Sequence, residues 1–297
     1  MWVLLALCSA FFLGIYDVFK KRSLNGNAVL PVLFLSVFIS SLIFVPALLL
    51  SEFCPNAAVA GGFYVPDVDA HTHLFIFLKA ILVLSSWACG FFALKHLPVT
   101  IFAPIRATQP VWTIVGALLI FGEQLAWLQV VGISITLVSF FLFSTAGHRE
   151  GIYWKSNVWV WLIIAATLLG ACSGLYDKHL LRNYDRMAVQ VYSTLYQAVF
   201  MFAVLMLLWW PTHKKTTPFQ WRWSIVGISV FLVIADFVYY KALSQPDSLI
   251  SVVSTIRRSG AVISFLYGAF FLREKNLRTK GVYLLGVLLG VALLVIK

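Results

Sequence analysis

Charge is what this sequence has least of. Only 11% of its 297 residues are charged, where a soluble domain carries about a quarter. A water-facing surface cannot be covered with so few, and a soluble globular protein is excluded. Catalytic signatures are absent too. No G-x-S-x-G, H-E-x-x-H, phosphate-binding loop or dinucleotide fingerprint occurs, so no catalytic residue, cofactor or enzyme activity is expected. A pump driven by ATP would need a nucleotide domain, for which the chain has no room. Cysteine is scarce. Cys8, Cys54, Cys89 and Cys172 show no C-x-x-C spacing, which argues against a disulfide framework or metal site, and three of them fall in apolar runs where they read as small packing residues. Met1-Trp2-Val3-Leu4 opens into an apolar run with no basic n-region, so no cleaved signal peptide is expected.

What the chain has in quantity is apolar sequence: 61% hydrophobic residues and a mean hydropathy of +0.93. Runs of about 20 apolar residues recur throughout, the signature of spanning helices rather than of a barrel. The pattern predicts an all-α integral membrane protein with ten spans, near 2–22, 28–51, 73–95, 98–121, 124–144, 157–181, 187–210, 221–243, 248–272 and 278–296. Most connections are short, so consecutive helices are antiparallel neighbours. The one long connection, Glu52 to Thr72, is rich in Gly, Pro and Asp. Tryptophans gather at span ends (Trp154, Trp159, Trp161, Trp209, Trp210, Trp221, Trp223), as an interfacial belt requires. The net charge of +11 is assigned to basic ends meeting anionic lipid headgroups, with no nucleic-acid partner.

The two halves repeat each other. Gly14-Ile15-Tyr16-Asp17 matches Gly174-Leu175-Tyr176-Asp177, and at the same offset Arg22 matches Arg182. Phe121-Gly122-Glu123 and Leu272-Arg273-Glu274 close the fourth and ninth spans, with Arg106 aligned to Arg257. Ala93-Leu94 and Ala242-Leu243 precede Pro98 and Pro246. Five spans per half is an odd number, so the second half enters the membrane from the opposite side and the repeat is inverted.

Ten spans, two five-helix repeats and these Gly-Glu or Arg-Glu endings resemble the drug/metabolite transporter superfamily, in particular the EamA-like permeases. The resemblance covers 1–146 as a first EamA-like repeat and 157–297 as a second. Arg273, standing where Gly is usual, and the Arg257-Arg258 pair depart from the general pattern. The resemblance implies a substrate cavity between the halves, alternating access without ATP, and residence in a bacterial inner (plasma) membrane.

Ionisable residues inside a bilayer are costly and mark function. With the N-terminus at face A and the far side called face B, Asp17 and Arg106 lie at similar depth near face B. Asp177 and Arg257 do so near face A. Asp17–Arg106 and Asp177–Arg257 are therefore expected as related ion pairs, serving either as alternating gates or as static neutralisation of buried charge. Arg257 and Arg258 point about 100° apart on a helix. One is expected to face the cavity, and the other an acid such as Asp236; a cavity Arg without a carboxylate favours an anionic substrate group. Tyr16, Tyr176, Trp87, Gln109, Tyr239, Tyr240 and Ser254 are candidate cavity walls. Lys79 is counted among loop charges, and Glu123 and Glu274 as turn residues in water. Pro104, Pro110 and Gly260 are candidate bending points. His71-Thr72-His73 is read as part of a mobile loop with no third metal ligand.

The reading is a secondary transporter of a small polar metabolite, coupled to protons or exchange through Asp17, Asp177 or Asp236. The alternatives are a flippase for a lipid-linked sugar and a non-transporting membrane scaffold subunit. Orientation stays open: the resemblance places both termini in the cytoplasm, and the loop distribution of Lys and Arg places them outside.

Overall fold

Apolar sequence of this kind satisfies its backbone only by closing hydrogen bonds within each segment, and helices follow. The structure, a computed structural model, describes residues 1–97, 105–106, 108–145, 157–215, 217–260, 262–263 and 277–295. Among them the order is α1 (Trp2–Leu24), α2 (Val29–Phe53), α3 (Pro55–Gly61), α4 (Ala70–His96), α5 (Gln109–Phe121), α6 (Trp127–Thr145), α7 (Val158–Asn183), α8 (Arg186–Val204), α9 (Ser224–Leu243), α10 (Ile250–Arg258) and α11 (Leu277–Val295), with no strand. A π turn, Leu205–Trp209, and a 3-10 turn, Trp210–Lys215, extend α8. Among the described residues six helices are long and apolar enough to cross a membrane, and shorter apolar helices accompany them.

Lipid-facing surfaces are recognisable by inversion of the usual pattern. Phe11, Leu119, Ile120 and Leu207 stand exposed, while Ser9, Ser229, Thr255 and Lys178 are buried. Local chemistry sets the helix ends. The Asp69 carboxylate accepts from Thr72 N–H ahead of α4, and Asp185 accepts from the Met187 and Ala188 N–H groups ahead of α8, satisfying donors that a first turn leaves open. Gly122, at φ 60°, ends α5 in the left-handed region, where a residue without Cβ is at no disadvantage.

The main packing crosses between the halves. α1 lies along α9, α4 along α7, α6 along α11, and α2 faces α8 as α5 faces α10. Lipid tails are as apolar as leucine, so close approach through small residues holds such helices together. Gly14 and Gly260 show this. A Cβ on Gly14 would sit 2.4 Å from the Gly260 carbonyl oxygen, and one on Gly260 would sit 2.5 Å from that of Ala10. Gly132 and Gly290 bring α6 and α11 together in the same way. The repeated phrase is not equivalent in its two copies, because a Cβ on Gly174 would meet nothing within 4 Å.

Several expectations change here. The long connection contains α3, and His71-Thr72-His73 lies on the first turns of α4 rather than in a mobile loop. His73 Nδ1 is 3.0 Å from the Tyr196 hydroxyl, and His71 meets the Phe75 ring edge-on. No group of three metal-ligating residues occurs among the described residues. Cys8, Cys54 and Cys172 are exposed, so they are not packing residues. Leu272-Arg273-Glu274, Pro98, Pro104 and Trp154 lie outside the described residues.

Candidate functional site

The crossed packing leaves a cavity of about 1380 Å³ between the halves, lined by α1, α2, α4, α7, α8, α9 and α10 together with Arg106 and α5. The lining reaches Lys21, Arg22, Asn25 and Arg222, where α1 ends and α9 begins, so it extends to face B. Of the thirteen residues expected at a cavity or gate, twelve contribute to the wall. Tyr176 does not. Its hydroxyl donates to the Phe75 carbonyl at 3.2 Å.

The expected ion pairs are rearranged. Asp177 pairs with Lys79 at 2.9 Å rather than with Arg257. Arg257 pairs with Asp236 at 2.8 Å, its guanidinium 4.0 Å from the centre of the Tyr239 ring. The cause lies in the helix neighbours. α7 runs along α4, so the flexible Lys79 stem reaches Asp177 first, while α9 and α10 set Asp236 beside Arg257. Lys79 also donates to the Tyr240 hydroxyl, and the Tyr239 hydroxyl donates to Asp177 at 3.5 Å. Two ion pairs and two tyrosines thus form one chain across the cavity. Buried charges paired and hydrogen-bonded in this way avoid the several kcal/mol that each lone ion would cost.

No ion pair joins Asp17 to Arg106 among the described residues. Arg106 instead donates to the Ala166 carbonyl at 2.7 Å, an oxygen that also accepts from the Ser86 hydroxyl. Asp17 is exposed to the cavity, and no hydrogen bond or ion pair holds Arg258 among the described residues.

At face A the walls are drawn together. Glu123 is 7% exposed; its carboxylate accepts from Ile250 N–H at 2.7 Å, Ser251 N–H at 3.2 Å and the Ser251 hydroxyl at 2.7 Å. It therefore caps α10 and is no turn residue in water. The left-handed Gly122 turns the chain so that this side chain can reach α10. Nearby, Lys178 is buried and donates to the Leu243 and Ser248 carbonyls at 3.3 and 2.6 Å. Arg182 stands over the Phe121 ring at 4.8 Å. Its counterpart in the repeat, Arg22, lines the cavity at face B.

Lys79, Glu123 and Lys178 are the residues that local reading misses. Lys79 did carry a signal, being a lone lysine several residues inside an apolar run. Glu123 and Lys178 carried none, since their partners are more than sixty residues away.

The EamA-like transporter family model matches residues 1–145 and 157–296. The chain belongs to the EamA-like transporter family. As a member it is an integral multi-pass membrane protein, a transporter and not an enzyme at the level of the family. Solved structures share the fold. One crystal structure, 14% identical, superposes with a TM-score of 0.73, covering 98% of this chain and 95% of its own. Comparison with curated proteins gave no match.

Proposed function

We propose that this EamA-like protein is a secondary transporter of the bacterial inner membrane that carries a small polar metabolite by alternating access. In this reading ten transmembrane helices form two inverted five-helix repeats, 1–146 and 157–297. The observation that carries it is the asymmetric cavity. Polar walls from both halves extend to face B, while Glu123, Lys178 and Arg182 hold face A together. The packing supports the same reading, because exchanging the two halves converts the α1–α9 contact into α7–α4 and maps α2–α8, α5–α10 and α6–α11 onto themselves. Asp177 and Asp236 are held by cations, which leaves Asp17 as the acid free to exchange a proton with a solute or with water.

Counterflow in proteoliposomes tests this. Labelled amino acids, organic acids, nucleobases, phosphorylated metabolites and amines are offered outside vesicles preloaded with the unlabelled compound. Saturable exchange of one class is expected. The reading fails if nothing is exchanged and spin labels placed across face A and face B keep fixed separations under all conditions.

A further inference from the structure

The cavity wall has more positive charge than its own acids neutralise: eight basic side chains against three aspartates among the described residues. Two of the aspartates are taken, Asp177 by Lys79 and Asp236 by Arg257. Of the six cations that remain, Lys21, Arg22 and Arg222 stand at the mouth on face B, and Lys20, Arg106 and Arg258 lie around Asp17 deeper in the cavity. The three cations and Asp17 lie within electrostatic reach of one another. Arg106 is anchored by one nitrogen to the Ala166 carbonyl, which orients the guanidinium and leaves its other donors available. Lys20 stands 4.5 Å from the Phe91 ring centre. Arg258 has no hydrogen bond or ion pair among the described residues, although it lines the cavity.

We infer that this cluster is the recognition site for a small organic dianion, a phosphate monoester or a dicarboxylate, whose charged oxygens are taken by Arg106 and Arg258. Three cations and one carboxylate leave two positive charges, which a dianion cancels. A zwitterion would leave both. Guanidinium groups present parallel N–H donors that match carboxylate and phosphate oxygens. Phe91 and Trp87 in the same wall cover the uncharged body of the ligand, as apolar walls do in small-molecule sites. Asp17 has a specificity role here: it opposes a third negative charge and rejects larger polyanions. The inference deepens the transporter reading and rests on it for the word substrate, although binding itself can be tested separately.

The test is thermal unfolding of the purified protein with glycerol 3-phosphate, succinate, serine or glycerol. A ligand that binds only the folded state raises its stability. Glycerol 3-phosphate or succinate is expected to raise the unfolding temperature, and serine and glycerol are not. Which of the two dianions acts separates phosphate from carboxylate recognition. Arg258→Gln is expected to weaken binding about tenfold or more, and Arg258→Lys less. Should Arg258→Gln fail to fold, Lys20→Gln at the mouth gives the same readout with a smaller loss. Asp17→Asn is expected to keep or strengthen dianion binding. Response to serine alone, or loss of dianion binding in Asp17→Asn, overturns the inference. Exchange of a neutral or cationic solute without dianion binding sinks this site and spares the transporter. Dianion binding with no exchange of any solute does the reverse.

Discussion

Glu123 and Lys79 each show a buried ionisable group whose removal has a calculable direction. Replacing Glu123 by Ala leaves two N–H donors of α10 unsatisfied, a cost of about 1–3 kcal/mol, concentrated at face A. In Glu123→Ala, a cysteine placed in the cavity at Gln109 is expected to react with a membrane-impermeant thiol reagent added at face A; the native four cysteines are first replaced. Unchanged labelling there would show that Glu123 does not hold that face. Lys79→Met strands the Asp177 carboxylate and is expected to destabilise by about 3–5 kcal/mol. Lys79→Met with Asp177→Leu should recover most of this in the same unfolding assay. Asp236 could be read as an acidic neighbour for one of the two adjacent arginines, because both stand at comparable depth in predicted spans. The Lys79–Asp177 pair could not, since depth matching ranks partners along the membrane normal and is blind to which helix lies alongside.

Helix contacts make the two copies of the repeated phrase separable. Gly14→Ala drives a methyl group into the Gly260 carbonyl and is expected to cost about 1–3 kcal/mol by overpacking. Gly174→Ala meets nothing and should be neutral or stabilising by up to about 1 kcal/mol, the helix preference of Ala over Gly. Thermal unfolding of the two variants gives the comparison. Helix existence was legible from apolar run length: 2–22 became Trp2–Leu24 and 28–51 became Val29–Phe53. The function of Gly14 was not, because periodicity reports that a segment is a helix and says nothing of which neighbour presses on it. The α4 cap adds a pH effect outside the membrane. Asp69 accepts from the Thr72 hydroxyl and N–H, and these bonds hold its pKa below the usual carboxylate value. Its stabilisation is therefore complete above about pH 4 and is lost as the pH falls through the lowered folded value. An acid titration of unfolding should be flatter for Asp69→Asn, which keeps the acceptor and drops the charge.

At the scale of the whole molecule, the halves are interleaved rather than stacked. The largest buried cluster draws on Ala6 and Ala10 of α1, Leu180 of α7, Tyr239 of α9 and Val291 of α11. Residues 1–146 expressed alone should therefore be degraded or aggregate, and co-expression with 157–297 should restore a folded complex by size-exclusion chromatography in detergent. A monodisperse first half on its own would contradict the crossed packing. Lys79 also leaves the tally of loop charges, since it is buried. It had been assigned to the side of the N-terminus, so its removal widens the disagreement between the cytoplasmic termini of the resemblance and the distribution of Lys and Arg.

Six of the eleven tryptophans, Trp159, Trp161, Trp209, Trp210, Trp221 and Trp223, stand at the start of α7, the end of α8 and the approach to α9. All of these positions belong to the same face as the cavity mouth. The native emission of the protein is consequently a one-sided lamp. In vesicles of uniform insertion, an aqueous quencher such as iodide dims it strongly from the compartment that face looks into and weakly from the other, so an unlabelled, unmutated protein reports its own orientation.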